Sequence, residues 1–201
     1  MRLRRRKNLL PRLQSVSGLI WDGRTPGDRR ELFVEVGCGM GGFITRLAEK
    51  RPDCLFLAAE RDANVAVRAM ELTRALGLTN LFFHLGGADT LELEEGSVSG
   101  IYLNFSDPWP RRGHAHRRLT HPEYLVRYAA MLTPGGRLEM KTDNPGLFAY
   151  SRKVLTEGGW KIAALDLNLS EGNGNIATEY ETRFRERGIP VLYLSARLPG
   201  F

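Results

Sequence analysis

Apolar residues in this chain gather into short blocks separated by longer amphipathic stretches. ELFVEVG (31–37), CLFLAAE (54–60), NLFFHL (80–85), VSGIYLNF (98–105) and PGGRLEMKT (134–142) each predict a buried strand. Residues 43–50, 64–77, 122–132 and 145–158 carry helical spacing instead. In the second of these, Val65, Ala69, Leu72 and Leu76 share one face and Gly77 is a plausible stop. WKIAALDLNL (160–169) and VLYLSARL (191–198) predict two closing strands around a polar connection. Strands alternating with helices predict an open, mostly parallel α/β sheet with both faces covered. Residues 1–30 are polar, basic and punctuated by Pro and Gly, which predicts an arm ahead of a domain spanning 31–201.

In sheets of this kind ligands sit beyond the carboxyl ends of the strands. That rule singles out Glu35 with Gly37, Glu60, Asp89, Asn104 with Asp107, and Thr142 with Asp143. VEVGCGMGG satisfies G-x-G-x-x-G at Gly37, Gly39 and Gly42. Alone, that pattern fits NAD(P), FAD, S-adenosylmethionine or a bare packing turn. Two features favour S-adenosylmethionine. Glu35 is a carboxylate inside an apolar strand, costly to bury unless a cation such as an amino-acid ammonium meets it. The loop also lacks a nearby base for a pyrophosphate. Glu60, at the end of the second strand, suits two ribose hydroxyls, because an ionised carboxylate only accepts. Asp89 suits an adenine amino group or, equally, a helix N-cap.

Charge changes the picture by its distribution. Lys plus Arg number 29 against 23 Asp plus Glu, a net charge of +6. Arg2, Arg4, Arg5, Arg6, Lys7 and Arg12 form one cluster, and Arg111, Arg112, Arg117 and Arg118 a second. Without them the remainder is slightly acidic, so a polyanion would meet two local patches. The arm reads either as a tail or as a clamp on such a partner. Cys38 and Cys54 fit neither a zinc pattern nor a disulfide framework, which suggests a reduced compartment. No apolar run approaches a membrane span, and no signal-peptide core follows the basic start. A cytoplasmic protein without membrane contact is expected. His114 and His116 lack a third ligand, so no metal is expected.

VEVGCGMGGF (34–43), AAE (58–60), YLNFSDPWPRRGHAHRRLT (102–120), KTDN (141–144) and TEYETRFRERG (178–188) occur in this order. Together they resemble the bacterial tRNA (guanine-N7-)-methyltransferases over nearly the whole chain. The Asp-Pro-Trp-Pro segment with its basic continuation is the specific part. The resemblance implies a class I methyltransferase (Rossmann-like) fold: a mostly parallel seven-stranded sheet, helices on both faces, last strand antiparallel. It implies methyl transfer from S-adenosyl-L-methionine to N7 of guanine at position 46 in the tRNA variable loop, by a monomer or homodimer. Positions matching Glu35, Gly37, Gly39, Glu60, Asp89 and Asp107 would hold the cofactor, with Asp107 in the active site. Arg111, Asp143, Thr178, Glu179, Tyr180 and Glu181 would meet the substrate, and Arg112, Gly113, His114, Ala115, His116, Arg117 and Arg118 the RNA.

The chain departs from the family at a few of these positions. Family members often carry Lys where Arg111, Arg112 and His116 stand, and Arg in place of Gly113. Trp109, stiffened by Pro108 and Pro110, reads either as a stacking platform for a nucleotide or as a packing residue. By pattern alone TEYETRF can be read as an ordinary solvated loop, whereas the resemblance makes it a substrate-contacting segment. A non-catalytic RNA-binding module on the same fold is the main alternative. A Rossmann dehydrogenase is disfavoured by Glu35 and the basic loop.

Overall fold

The structure is a computed structural model and describes residues 8–22, 30–170, 172 and 175–198. Seven strands form one sheet in the order β3-β2-β1-β4-β5-β7-β6. They are β1 (Leu32–Val36), β2 (Leu55–Ala59), β3 (Leu81–His84), β4 (Val98–Asn104), β5 (Leu132–Thr142), β6 (Lys161–Asp166) and β7 (Leu192–Arg197). β1 to β5 pair in parallel, whereas β7 runs antiparallel to both β5 and β6. The expected mostly parallel sheet with a reversed last strand is what forms. Every residue of β1 and β2 is buried, as strands covered on both faces require.

Helices α1 (Leu9–Ser15), α2 (Gly42–Lys50) and α3 (Ala63–Ala75) cover one face. α2 and α3 bury Phe43, Ile44, Leu47, Val67, Ala69 and Met70 against Phe33, Phe56, Ala58 and Phe83. Helices α4 (Pro122–Met131) and α5 (Pro145–Glu157) cover the other face. There Leu125, Tyr128, Phe148 and Leu155 pack on Val34, Leu57, Ile101 and Leu138. Both helices begin with proline at the first turn, where a missing N–H breaks no hydrogen bond. Asn144 also caps α5 by accepting from Leu147 N at 2.8 Å. A sixth helix, α6 (Glu179–Glu186), lies between β6 and β7.

Two local expectations are corrected. Residues 178–184 are not a solvated loop: the side chain of Thr178 accepts from Glu181 N at 2.9 Å, and Glu181 answers with a reciprocal hydrogen bond that closes a capping box. The buried face of α3 carries Ala66, Val67, Ala69, Met70 and Thr73, while Leu72 and Leu76 are exposed. The cause is close approach to α2. A Cβ on Gly41 would lie 2.6 Å from Ala69 Cβ, so small residues must face inward there. Gly41, at φ 81°, is therefore the glycine that packs the helix pair, whereas Gly42 is the first residue of α2.

The described part of the expected arm is docked on the body. Arg12 grips Glu71 on α3 with two hydrogen bonds of 2.7 and 2.6 Å. Trp21 N donates to Phe83 O at 2.8 Å, so the chain extends the sheet edge beside β3. The cations at Arg2, Arg4, Arg5, Arg6 and Lys7 lie outside the described residues.

The close approach of Gly41 to Ala69 yields a graded prediction. Gly41→Ala meets both positive φ and a blocked Cβ, and should lose about 2 kcal/mol or more in urea denaturation. Gly39→Ala, at φ 58° with open space around its Cβ, should lose about 1 kcal/mol.

Candidate active site

Parallel pairing sends the carboxyl ends of β1 to β5 to one edge of the sheet. The reversal of β7 brings α6, which precedes it, to that same edge, with Leu192 paired to Thr142. All the strand-end candidates therefore converge.

Glu35 is 2% exposed. Its Oε1 accepts from Asn104 Nδ2 at 2.8 Å, and its Oε2 has no hydrogen-bond partner among the described residues. Burial pushes its carboxyl up to about 8, against the opposing pull of Asn104 and Lys141. A buried acceptor with an unused oxygen suits a cationic ligand group. Gly37 (φ 80°) and Gly39 (φ 58°) turn the chain sharply after β1. Glu60 pins that turn: its Oε2 accepts from Gly39 N at 3.1 Å and its Oε1 from Asp62 N at 2.9 Å. A carboxylate has about four acceptor sites, so Glu60 retains capacity for a diol. Asp89 is exposed and no helix starts at it, which removes the N-cap alternative. Its carboxylate folds back towards Gly87, where a Cβ would sit 2.5 Å from Oδ1. Cofactor contacts are thus available from three successive strand ends.

Beyond β4 the backbone is unusual. Phe105 (φ 50°) and Trp109 (φ 41°) both adopt the left-handed region that bulky residues avoid. Between them Asp107 is exposed. Arg118 holds this loop from within: Nε reaches Pro108 O at 3.1 Å, and a terminal nitrogen reaches Trp109 O at 2.9 Å. Its guanidinium also lies 4.2 Å from the centre of the Tyr150 ring on α5. Residues Arg112–Arg117 form a 3-10 turn. In it Arg117 stacks on Trp109 at 4.8 Å, and His114 meets the Trp109 ring edge-on. Arg111, Arg112, Gly113, His116 and Arg117 are exposed, whereas His114, Ala115 and Arg118 are partly covered. Trp109 is therefore a packed residue with respect to Arg117 and His114.

α6 closes the far side of the site. Tyr180 and Phe184 stack on Phe105 at 6.1 and 5.6 Å between ring centres. Tyr180 is exposed, but Thr178 and Glu181 are buried. Glu181, 0% exposed, accepts from Lys141 Nζ at 3.0 Å, Asn175 Nδ2 at 2.6 Å and Arg185 at 2.7 Å. Burial raises its carboxyl, but the donors from Arg185, Lys141 and Asn175 prevail and hold it below the usual range. The geometry gives Glu181 an anchoring role rather than the direct substrate contact expected of it, since its oxygens face inward. Asp143, by contrast, is only partly buried, just past β5. Lys141 carried no expectation as a site residue, and Asn104 carried only its place among the strand-end candidates. A cavity of about 400 Å³ runs from them along the α2 face of the sheet towards Arg137.

Comparison with known proteins gives this edge a context. A family model described as a putative methyltransferase matches residues 29–194. The tRNA (guanine-N(7)-)-methyltransferase of Staphylococcus haemolyticus (strain JCSC1435) is 41% identical over 172 residues, covering 83% of this chain and 79% of the relative. The protein of the same name from Staphylococcus aureus (strain Newman) is 39% identical over 189 residues, 88% of this chain and 87% of the relative. Among solved structures, the 16S rRNA methyltransferase KamB superposes with a TM-score of 0.65 at 18% identity, over 92% of each chain. A SAM-dependent methyltransferase from Aquifex aeolicus gives 0.62 at 13% identity, over 96% of this chain and 90% of that one. The solved structures speak for the fold, and the sequence relatives carry the assignment further. The chain belongs to the tRNA (guanine-N7-)-methyltransferase family.

Proposed function

We propose that this protein methylates N7 of a guanine in tRNA from S-adenosyl-L-methionine, and that the guanine is position 46 of the variable loop. The observation that carries the reading is Glu35. A buried carboxylate with an unpartnered oxygen lies at the same sheet edge as the exposed Asp107 and the basic 3-10 turn. A module that only bound RNA would have no use for that destabilising group.

The cofactor, when bound, supplies an electrophilic methyl group on a sulfonium. Glu35 would receive its ammonium, Glu60 its ribose hydroxyls and Asp89 its adenine edge, with Gly37 and Gly39 allowing close backbone approach. Guanine N7 carries a free lone pair and no proton, so transfer requires no general base. In-line positioning is the main task of the protein. Guanine N1–H and its amino group are donors, and Asp107 and Asp143 are acceptors that match them. Positive charge moves onto the purine during transfer, and a fixed carboxylate at Asp107 stabilises it there. Arg111, Arg112 and Arg117 contact phosphates. Arg118 is committed to the Pro108 and Trp109 carbonyls and acts by shaping the loop. Thr178 and Glu181 present α6, from which Tyr180 approaches the nucleotide; the side chain of Glu179, also expected at the substrate, lies outside what the structure describes.

The decisive experiment incubates the protein with labelled cofactor and unmodified tRNA, then maps borohydride/aniline cleavage at 7-methylguanine. Cleavage at position 46, abolished when that guanine is replaced by adenine, is the expected result. Unlabelled tRNA would sink the reading, and cleavage elsewhere would sink the position. Asp107→Asn should lower the single-turnover rate on saturating tRNA about tenfold or more. Arg111→Ala with Arg112→Ala should flatten the slope of log K against log salt by about 0.7–0.9 for each phosphate that is no longer neutralised. Arg118→Ala should leave that slope unchanged. Glu35 adds a pH signature. Its ordinary value is 4.5 and its folded value about 8, so its stabilising contribution is complete below about 4.5 and disappears as pH rises through about 8. The melting temperature of the ligand-free protein should therefore fall over that window, and Glu35→Gln should remove the fall. Calorimetry in two buffers should show proton release on cofactor binding below about pH 8.

A further inference from the structure

α6 contributes little to either hydrophobic core, yet it forms one wall of the site. Two kinds of interaction hold it there. One is the stack of Tyr180 and Phe184 on Phe105. The other is the buried charge cluster around Glu181. Of the cations in that cluster, Arg185 belongs to α6 itself, four residues further along the helix. Lys141 is the cation that belongs to the sheet. It is 6% exposed, and its ammonium meets three acceptors: Asn175 Oδ1 at 2.5 Å, Ile176 O at 2.9 Å and Glu181 Oε2 at 3.0 Å. Its main chain faces the other way along the edge. Lys141 O accepts from Phe105 N at 2.8 Å, and Lys141 pairs in register with Asn104, the residue that holds Glu35.

We propose that Lys141 is a positioning residue for methyl transfer: by tying Glu181 to β5 it sets α6 against Phe105, and through Phe105 it fixes the loop that presents Asp107. The inference rests on the reading of Asp107 as the active-site carboxylate. Lys141 itself does not touch substrate. Phe105 stands two residues before Asp107, in a conformation its own backbone disfavours, so a neighbour must hold it. The rings of α6 provide that hold, and Lys141 fixes where the rings lie. Removing Lys141 leaves Glu181 paired with Arg185, which also donates to Leu169 O, so the helix keeps its internal neutralisation and loses its tie to β5.

The test uses the full-length protein and unmodified tRNA. Lys141→Met should lower the single-turnover transfer rate at saturating tRNA about tenfold or more, while the cofactor dissociation constant stays within about threefold. Glu181→Gln should act in the same direction, and the two effects should not add, because each breaks the same tie. The double variant replaces the ion pair by neutral side chains and serves if the single variant fails to fold. Gln retains the capping box at that position. The double variant should melt above Glu181→Gln, which leaves Lys141 buried without its carboxylate, and should still transfer slowly. Wild-type transfer by Lys141→Met, recovery of transfer together with stability in the neutral pair, or a cofactor affinity that falls in step with the rate would each overturn the proposal. Asp107→Asn in the same assay separates the two levels. If that variant is fully active, the reading of Asp107 fails; if it is impaired while Lys141→Met is not, only the positioning role fails.

Discussion

Parallel hydrogen bonding from β3 to β5 is the constraint from which the site follows. Strands that run the same way must end on the same edge, so residues from Glu35 to Asp143 meet although most of the sheet separates them in sequence. A wholly parallel sheet would carry the segment before its last strand to the opposite edge. The antiparallel β7 delivers α6 to the working edge instead. One reversal in strand direction thus decides that the helix can form a wall of the site.

Two glutamates at that edge are equally hidden and have opposite electrostatics. Glu181 is surrounded by Lys141, Arg185 and Asn175. Glu35 has one amide and an oxygen without a partner. The first has its charge satisfied by the protein, whereas the second keeps an oxygen with no partner among the described residues. The same distinction divides the basic segment. Arg118 is turned inward onto two carbonyls, whereas Arg111 and Arg112 face solvent.

The sheet and most helices were legible because burial on both faces imposes long apolar runs, as in Leu55–Ala59, and strand ends then mark candidates by rule. Glu35 and Glu60 stood out as acids where apolar residues were due. α6 was not legible because its stability comes from a capping box and a buried ion cluster, and neither leaves an apolar stripe. Lys141 was hidden for a related reason: a lysine near a strand end reads as a solvated residue until its carboxylate partner, 40 positions away, is placed beside it. The face of α3 was misjudged because helix spacing rewards large side chains, while the close approach of Gly41 to Ala69 selects small ones. Arg118 could not be told from its neighbours by charge, since its role depends on the direction of its fork.

The left-handed turns at Phe105 and Trp109 have a consequence for how the loop meets a nucleotide. Their conformational penalty is incurred during folding, against the sheet, α5 and α6, before any RNA arrives. A loop that has already given up its freedom has little left to lose on association. A nucleic acid meeting this segment would then be the partner that must deform, as a soft blank yields to a rigid die.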